Sequence, residues 1–205
     1  MDPGLEARIE EAAATLRRGG VIAYPTETFY GLGALAAAAA AVERLARAKG
    51  RPDGKPLPLL AADLAAVDAV AVLDGDARRV AERLWRGPLT LVLPARPGLP
   101  AAVTAGTGTV GIRIPGSEVA RRLAGAAGGA IVSTSANPSG GPPPARAGEL
   151  DPGLRARLDG VLDAGPTPGG LASTVVAVEQ GRVRVLRTGA VPVEAVEAAL
   201  RPNGA

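Results

Sequence analysis

Forty-seven percent of this 205-residue chain is hydrophobic, yet aromatic side chains make up only 2% of it. The interior must therefore be filled by Val, Leu, Ile and Ala rather than by rings. Compact aliphatic side chains suit the thin space between a β-sheet and the helices that cover it. A chain of this length can bury about 70% of the surface that its unfolded form exposes. The expectation is one α/β (α+β) domain over residues 1–205, with the informative core at about 5–200, built on a twisted mixed sheet flanked by helices.

The local patterns agree with that class. Asp2 and Pro3 supply a cap and a first helical position, and Leu5, Ile9, Ala12 and Leu16 recur at helical steps until Gly19 and Gly20. An apolar strand follows at 21–24 and ends at Pro25, where the polar run Thr26 to Gly33 begins. The Ala-rich stretch from Ala34 continues through Val42 and Leu45 as a helix ending near Lys49. Further strands are expected at 57–61, 89–94, 109–114, 130–134, 161–164, 174–178 and 182–187, with helices at 63–69, 76–86, 117–127 and 192–200. Glu179-Gln180-Gly181 reads as a hairpin turn, so the sheet should be mixed rather than purely parallel.

Several chemistries are excluded at the outset. There is no cysteine and no histidine, so neither a thiolate nucleophile, a Ser-His-Asp relay nor a zinc cluster is available. The first twenty residues carry acids and arginines at helical spacing and do not resemble a signal peptide, and no apolar run reaches the length of a membrane span. A cytoplasmic protein without membrane partners is expected. A formal charge of +3 permits an anionic partner without demanding one.

Of the 23 basic residues only two are lysines, and both fall in Lys49-Gly-Arg-Pro-Asp-Gly-Lys55. A chain that uses arginine nearly everywhere keeps a compact ammonium where a planar guanidinium will not serve, which points to an anion site; two solvated lysines placed together by chance remain the alternative. Other polar segments also follow strands: Pro25 to Thr28, Thr109 to Arg113, Ser133 to Asn137, and Ser173-Thr174 with Arg187. Side chains at such ends line the ligand crevice of open α/β sheets. No P-loop occurs, since Gly50 to Lys55 has the wrong spacing, and Gly31-Leu32-Gly33 is not completed as G-x-G-x-x-G.

In those segments the chain resembles the YrdC/TsaC threonylcarbamoyl-AMP synthases. The matching stretches, in the family's order, are Tyr24 to Gly33, Lys49 to Pro52, Gly87 to Thr90, Val110 to Pro115, Ser135 to Asn137 with Ser139-Gly140, Ser173 to Val176 and Leu186 to Ala190. The resemblance implies a YrdC-like fold with a concave basic cavity. It also implies a reaction in which L-threonine, bicarbonate or CO2, and ATP give threonylcarbamoyl-adenylate and diphosphate, for the threonylcarbamoyl group of adenosine 37 in tRNA. ATP is then a substrate that brings its own Mg²⁺, with no metal held by the protein. tRNA and downstream threonylcarbamoyl-transfer proteins are further implied partners. Lys49 and Arg51 would be catalytic. Arg51, Lys55, Thr109, Asn137 and Arg187 would hold the nucleotide, and Thr28, Arg113, Ser135 and Ser173 would hold threonine.

Bland readings stand beside these roles. Arg113 can be a strand-end arginine reaching solvent, Ser135 and Asn137 turn residues before Pro138, and Thr28 and Ser173 strand-end caps. Tyr24 and Phe29 read as core or cavity wall rather than stacking platforms, and Glu27 as structural. The chain departs from some family members at Leu60, where they carry a histidine, and at Ala145, where many carry a hydroxyl; it also stops soon after Arg187, which reads as a short form. Two other classes compete with the synthase: an RNA-binding module of the same fold without catalysis, and a carbamoyl-transfer enzyme of the hydrogenase-maturation type, against which the missing zinc-finger cysteines argue.

Overall fold

Helical and strand periods place most elements where the sequence expects them. The structure is a computed structural model that describes residues 3–50 and 54–202; the expected cap Asp2 lies outside them. Helix α1 (Pro3–Arg17) leads into β1 (Ile22–Pro25) and β2 (Tyr30–Gly33), followed by α2 (Ala39–Lys49), β3 (Leu59–Leu60), α3 (Leu64–Asp68) and α4 (Gly75–Leu84). Then come β4 (Leu89–Pro94), α5 (Ala101–Thr104), β5 (Thr109–Arg113), α6 (Glu118–Ala127), β6 (Ile131–Val132) and β7 (Thr134–Ser135). The chain closes with α7 (Pro152–Arg155), β8 (Gly160–Val161), β9 (Thr174–Glu179), β10 (Arg182–Arg187) and α8 (Val193–Leu200). Three of these have no counterpart in the pattern reading. Strand β2 looks like a polar loop in sequence but is sandwiched between β1 and β7 by antiparallel ladders. Helices α5 and α7, four residues each, are too short to show a period.

The mixed α/β class holds, and the strands divide between two sheets. One runs β7-β2-β1-β8 and the other β10-β9-β4-β5-β3-β6, each with parallel and antiparallel neighbours. Strand alternation feeds two cores. In β1 the period of two sends Ala23, with Val21 just ahead of the strand, into the larger core shared with β4, β5, α2, α4 and α8. It sends Ile22 and Tyr24 to a second core under α1 and α6, where Ile9, Ala13, Leu16, Leu123 and Ala127 pack. Both faces of β1 are therefore buried, which explains its lack of polar residues.

The β9–β10 hairpin is antiparallel, as expected, with Glu179 opposite Arg182. Gln180 and Gly181 take φ of 51° and 72°. Two positive φ values in a two-residue loop match the right-handed twist of the strands. Between β6 and β7 the chain passes from one sheet to the other at Ser133, whose N–H donates to Pro58 O at 2.8 Å. The sheets part beside this crossover, and the opening is the site described next.

Candidate functional site

A cavity of about 370 Å³ lies where the β1–β2 turn, the end of α2, the loop before β3, and the ends of β5 and β10 converge. Its size falls in the range of small-molecule sites. Lys49, Lys55, Arg113 and Arg187 contribute to its wall, and no Asp or Glu among the described residues lines it. A concave surface lined by cations and hydroxyls favours an anion.

Lys49, Arg113 and Arg187 are spent differently. Lys49 is buried, and its Nζ lies 2.7 Å from Ser135 O, 3.1 Å from Asn137 O, 3.3 Å from Ser135 Oγ and 3.5 Å from Asn137 Oδ1. Its ammonium gathers the oxygens of one loop, a task suited to three short, rotatable donors. Arg113 is only 7% exposed, and its guanidinium makes no hydrogen bond among the described residues. Its Nη1 sits 3.1 Å from Glu27 Oε1 as an ion pair off the hydrogen-bonding direction, so that this oxygen is buried without a donor. Glu27 also accepts from Ser117 N, at the cap of α6, at 3.4 Å. The carboxylate thus balances the charge of Arg113 from behind while leaving its N–H fork unspent. Arg187 donates to Ser173 O through Nε at 3.0 Å and Nη2 at 2.8 Å. Burial first, and the nearby charge of Arg113 second, lower its pKa from the usual arginine range. Two like charges held close in a partly dry site gain from an anion between them.

Hydroxyl groups complete the wall. Thr26 Oγ1 donates to Phe29 O at 2.7 Å and accepts from the N–H groups of Thr28 and Phe29, closing the β1–β2 turn. That turn presents the buried Thr28 hydroxyl, 3.1 Å from Thr26 Oγ1, to the cavity. Asn137 Nδ2 donates to Pro138 O and Gly141 O at 2.8 and 2.6 Å, so this residue is both cavity wall and turn former. Gly189 pins the segment carrying Ser173 from outside: a Cβ there would collide with Ala172 O and lie 2.6 Å from Thr174 N.

Of the residues expected from sequence, Thr28, Lys49, Lys55, Arg113, Ser135, Asn137, Ser173 and Arg187 are brought together around this one cavity. Arg51 lies outside the described residues. Thr109 does not line the cavity. Its hydroxyl pairs with Thr107 Oγ1 at 2.9 Å, and it stands at the far end of β5, about 13 Å from Arg113 at strand spacing. Leu60 is fully buried in the second core, whereas Ala145 O accepts from Thr167 N at 2.9 Å and Thr167 Oγ1 at 3.2 Å. Tyr24 is core and Phe29 is wall. The sequence reading gave no role to Thr26, Thr90, Ser133 and Ser139, which also line the cavity. The signal for Thr90 was there, a lone hydroxyl within the apolar strand 89–94.

The matching segments agree with comparison to known proteins. A family model described as Sua5/YciO/YrdC, telomere recombination, matches residues 14–189. The chain belongs to this family. Among similar family members, a threonylcarbamoyl-AMP synthase of Bacillus subtilis is 40% identical over 96% of this chain and 58% of its own length. One of Stenotrophomonas maltophilia is 46% identical over 82% of this chain and 90% of its own. The Sua5 protein of Pyrococcus abyssi, solved in complex with L-threonine, superposes with a TM-score of 0.89 at 37% identity, over 95% of this chain and 57% of that one. The chain thus spans little more than half the length of the first and third of these Sua5/YciO/YrdC relatives. Among the described residues no helix is long and apolar enough to cross a membrane, and no cluster of three acidic, histidine or cysteine ligands forms a metal site.

Proposed function

We propose that this cavity makes threonylcarbamoyl-adenylate from L-threonine, CO2 or bicarbonate, and ATP. The observation that carries the reading is the gathering of Lys55, Arg113 and Arg187 around one cavity with no carboxylate of the described residues in its wall. Support also comes from relatives named threonylcarbamoyl-AMP synthase, and from a family member solved with threonine. Threonine's carboxylate would take the open fork of Arg113, which can grip both oxygens. Thr28, Ser135 and Ser173 would hold the rest of the amino acid. Lys55, Arg187 and Asn137 would face the nucleotide. Arg51 and Thr109 belong to the same proposal, Thr109 only for a ligand extended along β5.

The chemistry needs no base from the protein. Threonine's neutral amine adds to CO2 and gives its proton to bicarbonate or water, leaving a carbamate whose oxygen attacks the α-phosphorus of ATP. The bond from that phosphorus to the bridging oxygen breaks, and diphosphate leaves with its Mg²⁺. What the walls supply is alignment of carbamate with phosphorus and cations against the charge that spreads over the phosphoryl oxygens. Lys49, whose ammonium is engaged by Ser135 and Asn137, keeps those walls in place. The adenylate would be consumed in modifying adenosine 37 of tRNA. Purified protein given threonine, bicarbonate and MgATP should release diphosphate only when all three are present. ATP turnover indifferent to threonine overturns the assignment, and salt-sensitive RNA binding with no turnover favours the non-catalytic module.

A further inference from the structure

A hydroxyl has one proton and two lone pairs, and a buried one must place its proton. Thr90 on β4 is 3% exposed, and its Oγ1 has one polar partner among the described residues, Ser173 Oγ at 3.0 Å. Ser173 Oγ in turn accepts from Arg187 Nη2 at 2.9 Å. If Thr90 spends its proton on Ser173, both lone pairs of Ser173 are filled, one by Thr90 and one by Arg187. The Ser173 proton then has nowhere to go but the cavity. In the reverse order Ser173 would donate to Thr90, and the buried Thr90 proton would have no acceptor among the described residues.

We propose that Thr90 is a positioning residue that makes Ser173 an obligate hydrogen-bond donor to an oxyanion of the substrate. The assignment rests on the proposed function, under which that oxyanion belongs to threonine or its carbamate. Thr90 lies on β4 and Ser173 immediately precedes β9, and the two strands run parallel with Leu89 beside Thr174. The pair is set by the sheet itself, and Arg187 holds it from the next strand, β10. A site that can only donate at this point selects a bare anionic oxygen and rejects a ligand group bearing its own N–H or O–H there.

The test is threonine affinity measured by calorimetry without ATP, on wild type, Thr90→Val, Thr90→Ser, Ser173→Ala and the Thr90→Val/Ser173→Ala double variant. Ser173→Ala should weaken binding about tenfold, the scale of one hydrogen bond to a charged group. Thr90→Val, which keeps the volume, should weaken it about threefold to tenfold, and Thr90→Ser should restore it. The double variant should be no weaker than Ser173→Ala alone, because Thr90 acts only through Ser173. Thr90→Val binding as wild type, Thr90→Ser as weak as Thr90→Val, or additive effects in the double variant each overturn the assignment alone. Wild type that does not bind threonine overturns the proposed function and this assignment with it.

Discussion

Lys49 shows how one side chain's identity follows from geometry. Its Nζ reaches four oxygens of a single loop from a buried position. A guanidinium is flat and fans its donors outward, so it cannot occupy that point without moving the loop that carries Ser135 and Asn137. Lys49→Arg is expected to lower kcat/KM about a hundredfold in a diphosphate-release assay, near 3 kcal/mol of lost alignment; wild-type turnover would return the lysine pair to chance. Arg113→Lys keeps the charge and loses the fork. The KM for threonine should rise about tenfold or more while the KM for ATP changes little, since the lost contact is with the amino acid. Equal rises in both would mean that Arg113 serves the nucleotide.

At the scale of elements, the β9–β10 hairpin and the segment after it form a clasp on the cavity. Arg187 holds Ser173, and Ala190 N donates to Ala172 O at 2.9 Å. Gly189 fits between them because it has no side chain. Gly189→Ala must push two backbone segments apart. It should cost about 2 kcal/mol or more of stability in denaturant unfolding and weaken threonine binding along with it. At the other end of the hairpin Gln180 holds φ at 51°, a conformation that asparagine tolerates better. Gln180→Asn should raise stability by roughly 0.5 kcal/mol with turnover unchanged, because the turn lies away from the cavity. Boundaries of β4 and β10 were legible residue for residue, since each is an apolar or alternating run ended by punctuation. Strand β2 was not legible: two of its four residues are glycine, and only pairing with β1 and β7 makes it a strand.

For the whole molecule, two small cores filled by aliphatics leave tyrosine hydroxyls buried. Tyr24 is fully buried, and desolvation pushes its pKa up to about 12, with Val132 O accepting from its hydroxyl. The unfolded chain ionises near pH 10, so the folded state is fully favoured below that pH and loses ground as pH rises toward 12. The loss attributable to Tyr24 is about 3 kcal/mol. Urea unfolding at pH 9 and pH 11.5 should show the drop, smaller in Tyr24→Phe; an equal drop in both would assign it elsewhere. Tyr30, raised mainly by burial and also by its hydrogen bond to Asp163, adds to the same trend. The amino-acid order by itself determined the α/β class, most element boundaries and the cationic, hydroxyl-rich inventory, because periodicity, turn chemistry and residue type are local properties. Only the tertiary structure decided how each polar group is used: that Lys49 is committed to the loop, that Arg113 keeps its fork open, that Thr109 stands outside the cavity and that Thr90 faces Ser173. Hydrogen-bond satisfaction depends on partners brought together by folding, such as Lys49 and Ser135 at a separation of 86 positions or Thr90 and Ser173 at 83, and no local pattern records that distance.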